Sequence, residues 1–245
     1  MELIDLKEKI CGAFSGAPSE LKRILDLVDE DQAIFPFNEY EHLICNLIEA
    51  GGLSYQQYID IRSEYISKNP NLWIFEISAP RGFGEKFAQT YINGMCGELQ
   101  KPSKKLDENY SGEYDFWLDG IKIEVKASRA VNSDSEEPLY IKALSRGSHL
   151  PFLMNFQQLK PQCCDVFIWV AVYRDQIVVW VINSKDVMDN PMFSKGQHRG
   201  NSGNEGQMHI RHDNIHNLDI YELPKGGSLK EAIKTAAGKY QRLLR

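Results

Sequence analysis

The chain has 245 residues, of which 42% are hydrophobic and 25% are charged, so it has the ordinary composition of a globular protein with a buried core. Its net charge of −6 argues against a protein that coats nucleic acid non-specifically. No apolar run approaches the roughly 20 residues of a membrane span, and the first residues lack the pattern of a signal peptide. The five cysteines lack metal-site spacing, so we expect a cytoplasmic protein with reduced thiols and no membrane partner.

Residues 1–70 are predicted to form a small helical subdomain. Apolar side chains recur there at helical spacing, and Ser54 is placed to cap a helix that runs through Tyr65. This segment holds 13 acidic and 6 basic side chains, whereas residues 71–245 are close to neutral. We expect the subdomain to support the core or to form dimer contacts.

A short strand is expected at residues 72–75, and a helix follows it. Four side chains recur every four residues and predict one apolar face of that helix. They are Phe83, Phe87, Tyr91 and Met95. A basic loop at residues 101–105 comes next, and it either approaches DNA phosphates or is solvated.

The segment 113–126 is predicted to form a β-hairpin. Asp119-Gly120 is a strong signal for a two-residue turn, because such a turn needs positive φ at both central residues. One strand face is then apolar and should lie on the core, whereas the other face carries charged residues. The turn sets these opposed pairs: Leu118 with Ile121, Phe116 with Ile123, Asp115 with Glu124, and Glu113 with Lys126.

Asp115 and Glu124 oppose each other on the polar face of this hairpin. Opposed side chains lie roughly 5 Å apart and like charges there are destabilising, so the pair favours a cation or a proton between them. Mg²⁺ typically uses one or two carboxylates, and a bound metal acidifies water and stabilises charge on a phosphate. Lys126 lies on the same face, close enough to orient that water. The alternative is an amphipathic hairpin whose polar face is simply solvated.

This segment resembles the motif of the PD-(D/E)XK nuclease superfamily, with Tyr114-Asp115 as the first part and Glu124-Val125-Lys126 as the second. Tyr114 stands where the family has proline. The resemblance implies that Asp115 and Glu124 bind Mg²⁺, with Mn²⁺ as a substitute, helped by the backbone carbonyl of Val125. It also implies that Lys126 positions the attacking water and stabilises the transition state.

In many members of this superfamily, an acidic residue on the helix before the hairpin points at the metal site. Glu85 matches that position best and is predicted to be catalytic, and Glu98 is the rival. A solvated helix glutamate is the alternative for each of them.

Downstream of the hairpin we expect a helix and then two strands, at residues 166–173 and 176–182. This order predicts an α/β fold of the mixed α+β kind, with a central mixed β-sheet flanked by helices, as in the restriction-endonuclease-like core. The segment Phe156-Gln157-Gln158-Leu159-Lys160-Pro161 resembles the corresponding region of several restriction endonucleases. In this half of the chain, DNA contacts are expected from Arg129, Lys142, Arg146, Gln157 and Gln158.

Residues 194–207 are predicted to contact DNA bases. The segment is rich in glycine, which gives backbone freedom, and in side chains that match base edges, such as Arg for guanine and Asn or Gln for adenine. The expected contacts are Gln197, His198, Arg199, Asn201, Asn204 and Gln207. A surface loop without such contacts is the alternative.

Ser228 and Glu231 form a capping-box pattern that predicts a last helix running to Leu244. Its basic side chains either contact DNA phosphates or are solvated while the apolar face packs on the core. We expect packing.

Residues 71–245 are therefore expected to form a PD-(D/E)XK catalytic domain with a C-terminal DNA-recognition region. The resemblance implies a sequence-specific, Mg²⁺-dependent endodeoxyribonuclease of the type II restriction kind, part of a restriction-modification system, that leaves 5′-phosphate and 3′-hydroxyl ends on duplex DNA. Symmetric DNA sites suggest a homodimer. The alternatives are a structure-specific repair or recombination nuclease and a non-catalytic DNA-binding module on the same scaffold.

Overall fold

The structure is a computed structural model that describes residues 8–9, 11–14, 16–25, 41–80, 82–196 and 205–240. Over these residues the chain forms two four-stranded β-sheets with helices beside them. One sheet is mixed and the other is antiparallel. The predicted class, α/β of the mixed α+β kind with a mixed sheet and flanking helices, is confirmed.

The described part of residues 1–70 includes the helices α1 (Pro18–Leu25), α2 (Glu41–Glu49) and α3 (Tyr55–Lys68). Ser54 caps α3 as predicted, since its side chain accepts a hydrogen bond from the backbone of Gln57 and the Gln57 side chain bonds back to the Ser54 backbone. Leu43 and Leu47 of α2 belong to the same hydrophobic cluster as the first sheet. The N-terminal helices therefore share a core with the sheet.

Residues 72–75 form a short helix, α4 (Leu72–Phe75), so the strand predicted there is wrong. An apolar run this short suits a buried helix turn as well as a strand. A π-helix (Gly82–Ala88) follows and continues directly into α5 (Gln89–Met95). The predicted aromatic stripe is present, since the rings of Phe83 and Phe87 stack at 5.9 Å, although Met95 at its end is exposed.

The first sheet has the order β1 (Phe116–Leu118), β2 (Ile121–Arg129), β5 (Val166–Val172) and β6 (Ile177–Asn183). The predicted turn between β1 and β2 is confirmed, with φ of 49° at Asp119 and 91° at Gly120. The predicted strands at residues 166–173 and 176–182 correspond to β5 and β6. Among the described strands β2 and β5 are the parallel pair, and the connection between them crosses to the second sheet.

The second sheet has the order β3 (Val131–Asn132), β4 (Phe152–Leu159), β8 (Gly206–Ile210) and β7 (Phe193–Lys195). The helix predicted between the hairpin and β5 is therefore wrong. Alternate β4 side chains, beginning with Phe152 and Met154, are buried, and this period of two is that of a strand. The parallel connection from β2 to β5 is thus made by strands.

Each face of the first sheet is covered. On one face Ile168 and Val170 pack with the helices, including α7 (Leu229–Gly238), and on the other Trp169 packs against the second sheet. The rings of Phe156 and Trp169 stack there with 4.6 Å between centroids. The charged face of β2 is on this second side, so it lies near the second sheet and is largely shielded from solvent.

Two short helices complete the structure, α6 (Ser184–Met188) and a 3₁₀ helix (Ile215–Tyr221). The predicted cap of α7 is confirmed, because the Ser228 side chain accepts from the backbone of Glu231 at 3.3 Å. No helix in the described part of the chain is long and apolar enough to cross a membrane.

Candidate active site

Strand β2 places Glu124 and Lys126 two residues apart on the same face. The Lys126 ammonium lies 2.7 Å from Oε1 of Glu124, and the side chains are 19% and 15% exposed. Parallel pairing sets Glu124 opposite Phe167 and Lys126 opposite Trp169 of β5. The ion pair therefore lies over the hydrophobic middle of the sheet, where water screens it weakly.

Asp115 reaches this place by a route that the register did not predict. Among the described residues the β1–β2 ladder ends with Phe116 opposite Ile123, so Asp115 and Glu124 are not a cross-strand pair. The backbone N–H of Asp115 donates to the Ile123 carbonyl at 2.9 Å, and its Oδ2 accepts from the backbone N–H of Val125 at 2.8 Å. The carboxylate therefore takes the place of the next backbone partner of β2.

The predicted pair of Glu113 and Lys126 is likewise absent from the described ladder. Glu113 instead bonds to its near neighbour Ser111, whose backbone N–H donates to Oε2 at 2.8 Å. The strand leaves the sheet at Asp115, which removes Glu113 from the site.

Gln89, the first residue of α5, makes the contact from the preceding helix. Its Nε2 donates to Oδ1 of Asp115 at 2.7 Å. Glu85 lies on the π-helix one turn earlier and is exposed, and Glu98 pairs with Lys230 at 3.2 Å. The prediction considered only acidic residues before the hairpin, and so it did not include Gln89.

Burial governs the charge of both carboxylates. It raises the pKa of Glu124 to about 7, and the charge of Asp115 adds to this rise while Lys126 and Lys160 oppose it. Burial also raises the pKa of Asp115, against the Val125 N–H bond and the charges of Lys126 and Lys101. The pKa of Tyr110 is raised by burial and by the charge of Asp115. The site thus concentrates negative charge in poorly solvated surroundings, which a cation would relieve.

Lys160 is a second cation near Glu124, and sequence reasoning did not select it. Its ammonium lies 3.0 Å from Oε1 of Glu205, at the base of the β7–β8 hairpin. Strand β4 is irregular between Phe156 and Leu159, and Gln158 has a positive φ of 54°. Such bulges redirect side chains and occur often beside active sites. Here the bulge leaves Gln157 and Gln158 exposed.

Three of the predicted DNA contacts bind within the protein. Nη1 of Arg129 donates to the Ile77 carbonyl at 2.8 Å and to carbonyls of α4, and its guanidinium lies 4.1 Å from the Phe83 ring centroid. Arg146 makes a bidentate pair with Glu222, at 2.8 and 2.6 Å. Lys142 donates to a backbone carbonyl at 3.3 Å. All three side chains therefore form these hydrogen bonds within the protein.

The described ends of the predicted base-contacting segment lie in the β7–β8 hairpin. Gln207 pairs with Ser194 in this hairpin, and its carbonyl accepts a bond from the Ser194 hydroxyl at 3.1 Å. The other predicted contacts, Gln197, His198, Arg199, Asn201 and Asn204, lie outside the described residues.

The donors at the site suit a hard divalent cation. Two carboxylates and a backbone carbonyl are oxygen donors of the kind that Mg²⁺ uses while it keeps several waters. In the described part of the chain no group of three or more His, Cys, Asp or Glu side chains is arranged to hold a metal. Any cation here would thus depend on Asp115, Glu124, the Val125 carbonyl and water.

Neither a protein-family model nor a curated protein matches the chain. A functional assignment therefore rests on the side chains that the fold brings together.

Proposed function

We propose that the chain is a sequence-specific, Mg²⁺-dependent endodeoxyribonuclease of the type II restriction kind, acting on duplex DNA in the cytoplasm. One observation carries the proposal. Asp115 and Glu124 come together where burial raises the pKa of both carboxyl groups, and Lys126 lies 2.7 Å from Glu124. Paired carboxylates with an adjacent lysine suit metal-assisted hydrolysis of a phosphodiester.

The chain's own residues would divide the work as follows. Asp115, Glu124 and the Val125 carbonyl would hold Mg²⁺, or Mn²⁺ in its place. A cation bound there supplies charge stabilisation at the phosphate and a more acidic water. Lys126 would orient the attacking water and stabilise negative charge on the phosphate oxygens. Hydrolysis would leave 5′-phosphate and 3′-hydroxyl ends.

Sequence specificity is assigned to the β7–β8 hairpin because an ion pair links its base to the site. Glu205 bonds to Lys160, and the charge of Lys160 acts on Glu124. Base contacts from this hairpin would therefore form close to the cleaved phosphate. A homodimer would present two such sites to the two strands of a symmetric sequence.

Digestion of plasmid DNA with Mg²⁺, followed by run-off sequencing of the ends, tests the proposal. Wild type should give discrete fragments with one sequence at every cut. Asp115→Asn and Lys126→Met should bind duplex DNA in Ca²⁺ yet lose cleavage. Lys122→Met is the matched control, since Lys122 lies on the same face of β2 but pairs with Asp107 at 2.7 Å.

Cleavage at the wild-type rate by either site variant would contradict the proposal. Cutting confined to junctions or flaps would favour a structure-specific nuclease. Tight duplex binding without cleavage in Mg²⁺ and Mn²⁺ would favour a non-catalytic DNA-binding module.

A further inference from the structure

A chain of three hydrogen-bonded side chains ends at Asp115. The Lys101 ammonium donates to Oε1 of Gln89 at 2.6 Å, and Nε2 of Gln89 donates to Oδ1 of Asp115 at 2.7 Å. Gln89 begins α5, whereas Lys101 lies in the basic loop that precedes β1. The three residues come from separate segments, so the fold must bring them together.

Backbone pairing determines the position of Lys101. The preceding residue, Gln100, exchanges two backbone hydrogen bonds with Trp117 of β1, at 3.0 and 2.9 Å. The Lys101 ammonium also lies 4.2 Å from the ring centroid of Phe116, a favourable cation–π distance. Lys101 is exposed, but these contacts hold it at the edge of β1.

The chemistry of the three groups fixes the direction of the chain. A lysine ammonium has donors only, so Gln89 must turn its carbonyl oxygen toward Lys101. Its NH₂ group then faces Asp115 and requires an acceptor there. A carboxylate has only acceptor atoms, so either of its oxygens can accept this hydrogen bond. Lys101 therefore sets the orientation of the Gln89 amide, whose NH₂ group holds Oδ1 of Asp115.

Both oxygens of Asp115 are held in this way. Oδ1 accepts from Gln89 and Oδ2 accepts from the backbone N–H of Val125 at 2.8 Å. Each carboxylate oxygen has a second lone pair, so two fixed donors orient the group without exhausting its acceptors. The remaining lone pairs are available to a cation.

We propose that Gln89 and Lys101 are positioning residues that hold the Asp115 carboxylate oriented for a divalent cation. The inference rests on the proposed function and adds two residues that its motif does not contain. Outer partners of metal-binding side chains typically change metal affinity about 10- to 100-fold when they are lost. The effect should therefore appear in cation binding before it appears in DNA binding.

Two measurements on the full chain test this role. The first is the Kd for Mn²⁺ without DNA, followed by electron paramagnetic resonance. The second is the Mg²⁺ concentration that gives half-maximal cleavage. Gln89→Leu should raise both about 10- to 100-fold, while cleavage at saturating Mg²⁺ and duplex affinity in Ca²⁺ stay near wild type.

Lys101→Met should shift both values in the same direction by less, because the Gln89 amide can then turn its oxygen toward Asp115. Lys101→Arg should restore them, since arginine also only donates hydrogen bonds. Lys104→Met is the matched control in the same exposed loop and should change neither value. As Lys101 is exposed, its variants test the proposal even if Gln89→Leu folds poorly.

Wild-type Mn²⁺ affinity in both Gln89→Leu and Lys101→Met would overturn the positioning role of the hydrogen-bonded chain from Lys101 to Asp115, here called the relay. The proposed function would not be affected by that result. Mn²⁺ binding by wild type without DNA cleavage would contradict the nuclease, while the Kd values would still decide the relay. A wild-type chain that binds no Mn²⁺ would overturn both.

Discussion

Lysines pair with carboxylates both at the candidate site of Asp115, Glu124 and Lys126, called here the β2 site, and on the exposed face of α7. The two places differ in how deeply the charged side chains are buried. Lys126 and Glu124 are less than one-fifth exposed, whereas Lys234 and Asp119 lie 3.0 Å apart with side chains 40% and 63% exposed. Burial raises the pKa of Glu124, while the hydrogen bond from Lys230 lowers the pKa of Glu98. At α7 the lysine therefore stabilises the charged form of the carboxylate. At the β2 site burial outweighs the lysine and disfavours the charged form.

The comparison shows where a cation would matter. The carboxylates that pair with α7, Glu98 and Asp119, are each exposed and have a lysine beside them, so little is gained by adding a metal. At the β2 site burial raises the pKa of both Asp115 and Glu124, and the charge of Asp115 adds to the rise at Glu124. A charge pair alone therefore does not indicate a functional site, whereas a buried excess of one charge does.

The largest expected effect separates the two carboxylates by function. Glu124→Gln should lower the rate of DNA cleavage by at least about 100-fold, as the loss of a transition-state electrostatic contact usually does. Glu98→Gln, the exposed counterpart, should leave the rate within about twofold of wild type. Equal losses in a cleavage assay with matched protein and Mg²⁺ would break the comparison.

The stability of the apo-protein should depend on pH through Glu124. The pKa of this carboxyl group is about 7 in the folded state and about 4.3 in the unfolded state, so the folded protein keeps the proton to a higher pH. Its contribution to the free energy of unfolding therefore falls by about 1.4 kcal/mol per pH unit between these values and is constant above pH 7.

Urea denaturation of wild type and Glu124→Gln between pH 5 and pH 8 measures this effect. The stability of wild type relative to the variant should fall as pH rises toward 7, because glutamine does not titrate. Parallel curves for the two proteins would show that Glu124 is not buried as described. Saturating Mg²⁺ should stabilise wild type more at pH 8 than at pH 6.

A smaller effect is expected at Lys160, whose side chain is 45% exposed like those on α7 but whose charge acts on the buried Glu124. If Lys160 contacts one DNA phosphate, Lys160→Met should weaken duplex binding about tenfold. It should also reduce the slope of log binding constant against log salt concentration by about 1. Glu205→Gln removes the partner of Lys160 and should leave binding unchanged or tighter. Weaker binding by both variants would instead indicate a purely structural ion pair.

The smallest effect is expected on α7. Lys234→Met should change the free energy of unfolding by no more than about 0.5 kcal/mol, because exposed ion pairs contribute little. Thermal unfolding at low and at high salt measures this change. A loss several times larger would mean that the exposed pairs are also structural, and the contrast with β2 would weaken.

Local turn chemistry made the hairpin predictable. Asp119-Gly120 fixed the turn, and the three pairs from Leu118 to Phe116 formed as expected. The next pair depended on a side chain, because the Asp115 carboxylate bonds to the backbone of Val125 and ends the ladder. A register extended by arithmetic does not include such competition between side chain and backbone.

Contacts between distant segments were less predictable. The α/β class follows from the order of apolar segments. The sequence predicts a helix where β3 and β4 lie, because β8, the partner of β4, lies far along the chain. Gln89 and Lys160 were missed because their roles follow from tertiary contacts with Asp115 and Glu205. Spacing in the sequence gives no signal for such contacts.

Anomalous diffraction from crystals soaked in Mn²⁺ would show directly whether Asp115 and Glu124 hold a cation. We expect a peak about 2.1 Å from a carboxylate oxygen of Asp115 and a similar distance from one of Glu124, lost in crystals of Asp115→Asn. Fully occupied Mn²⁺ sites elsewhere, with none between Asp115 and Glu124, would contradict this expectation.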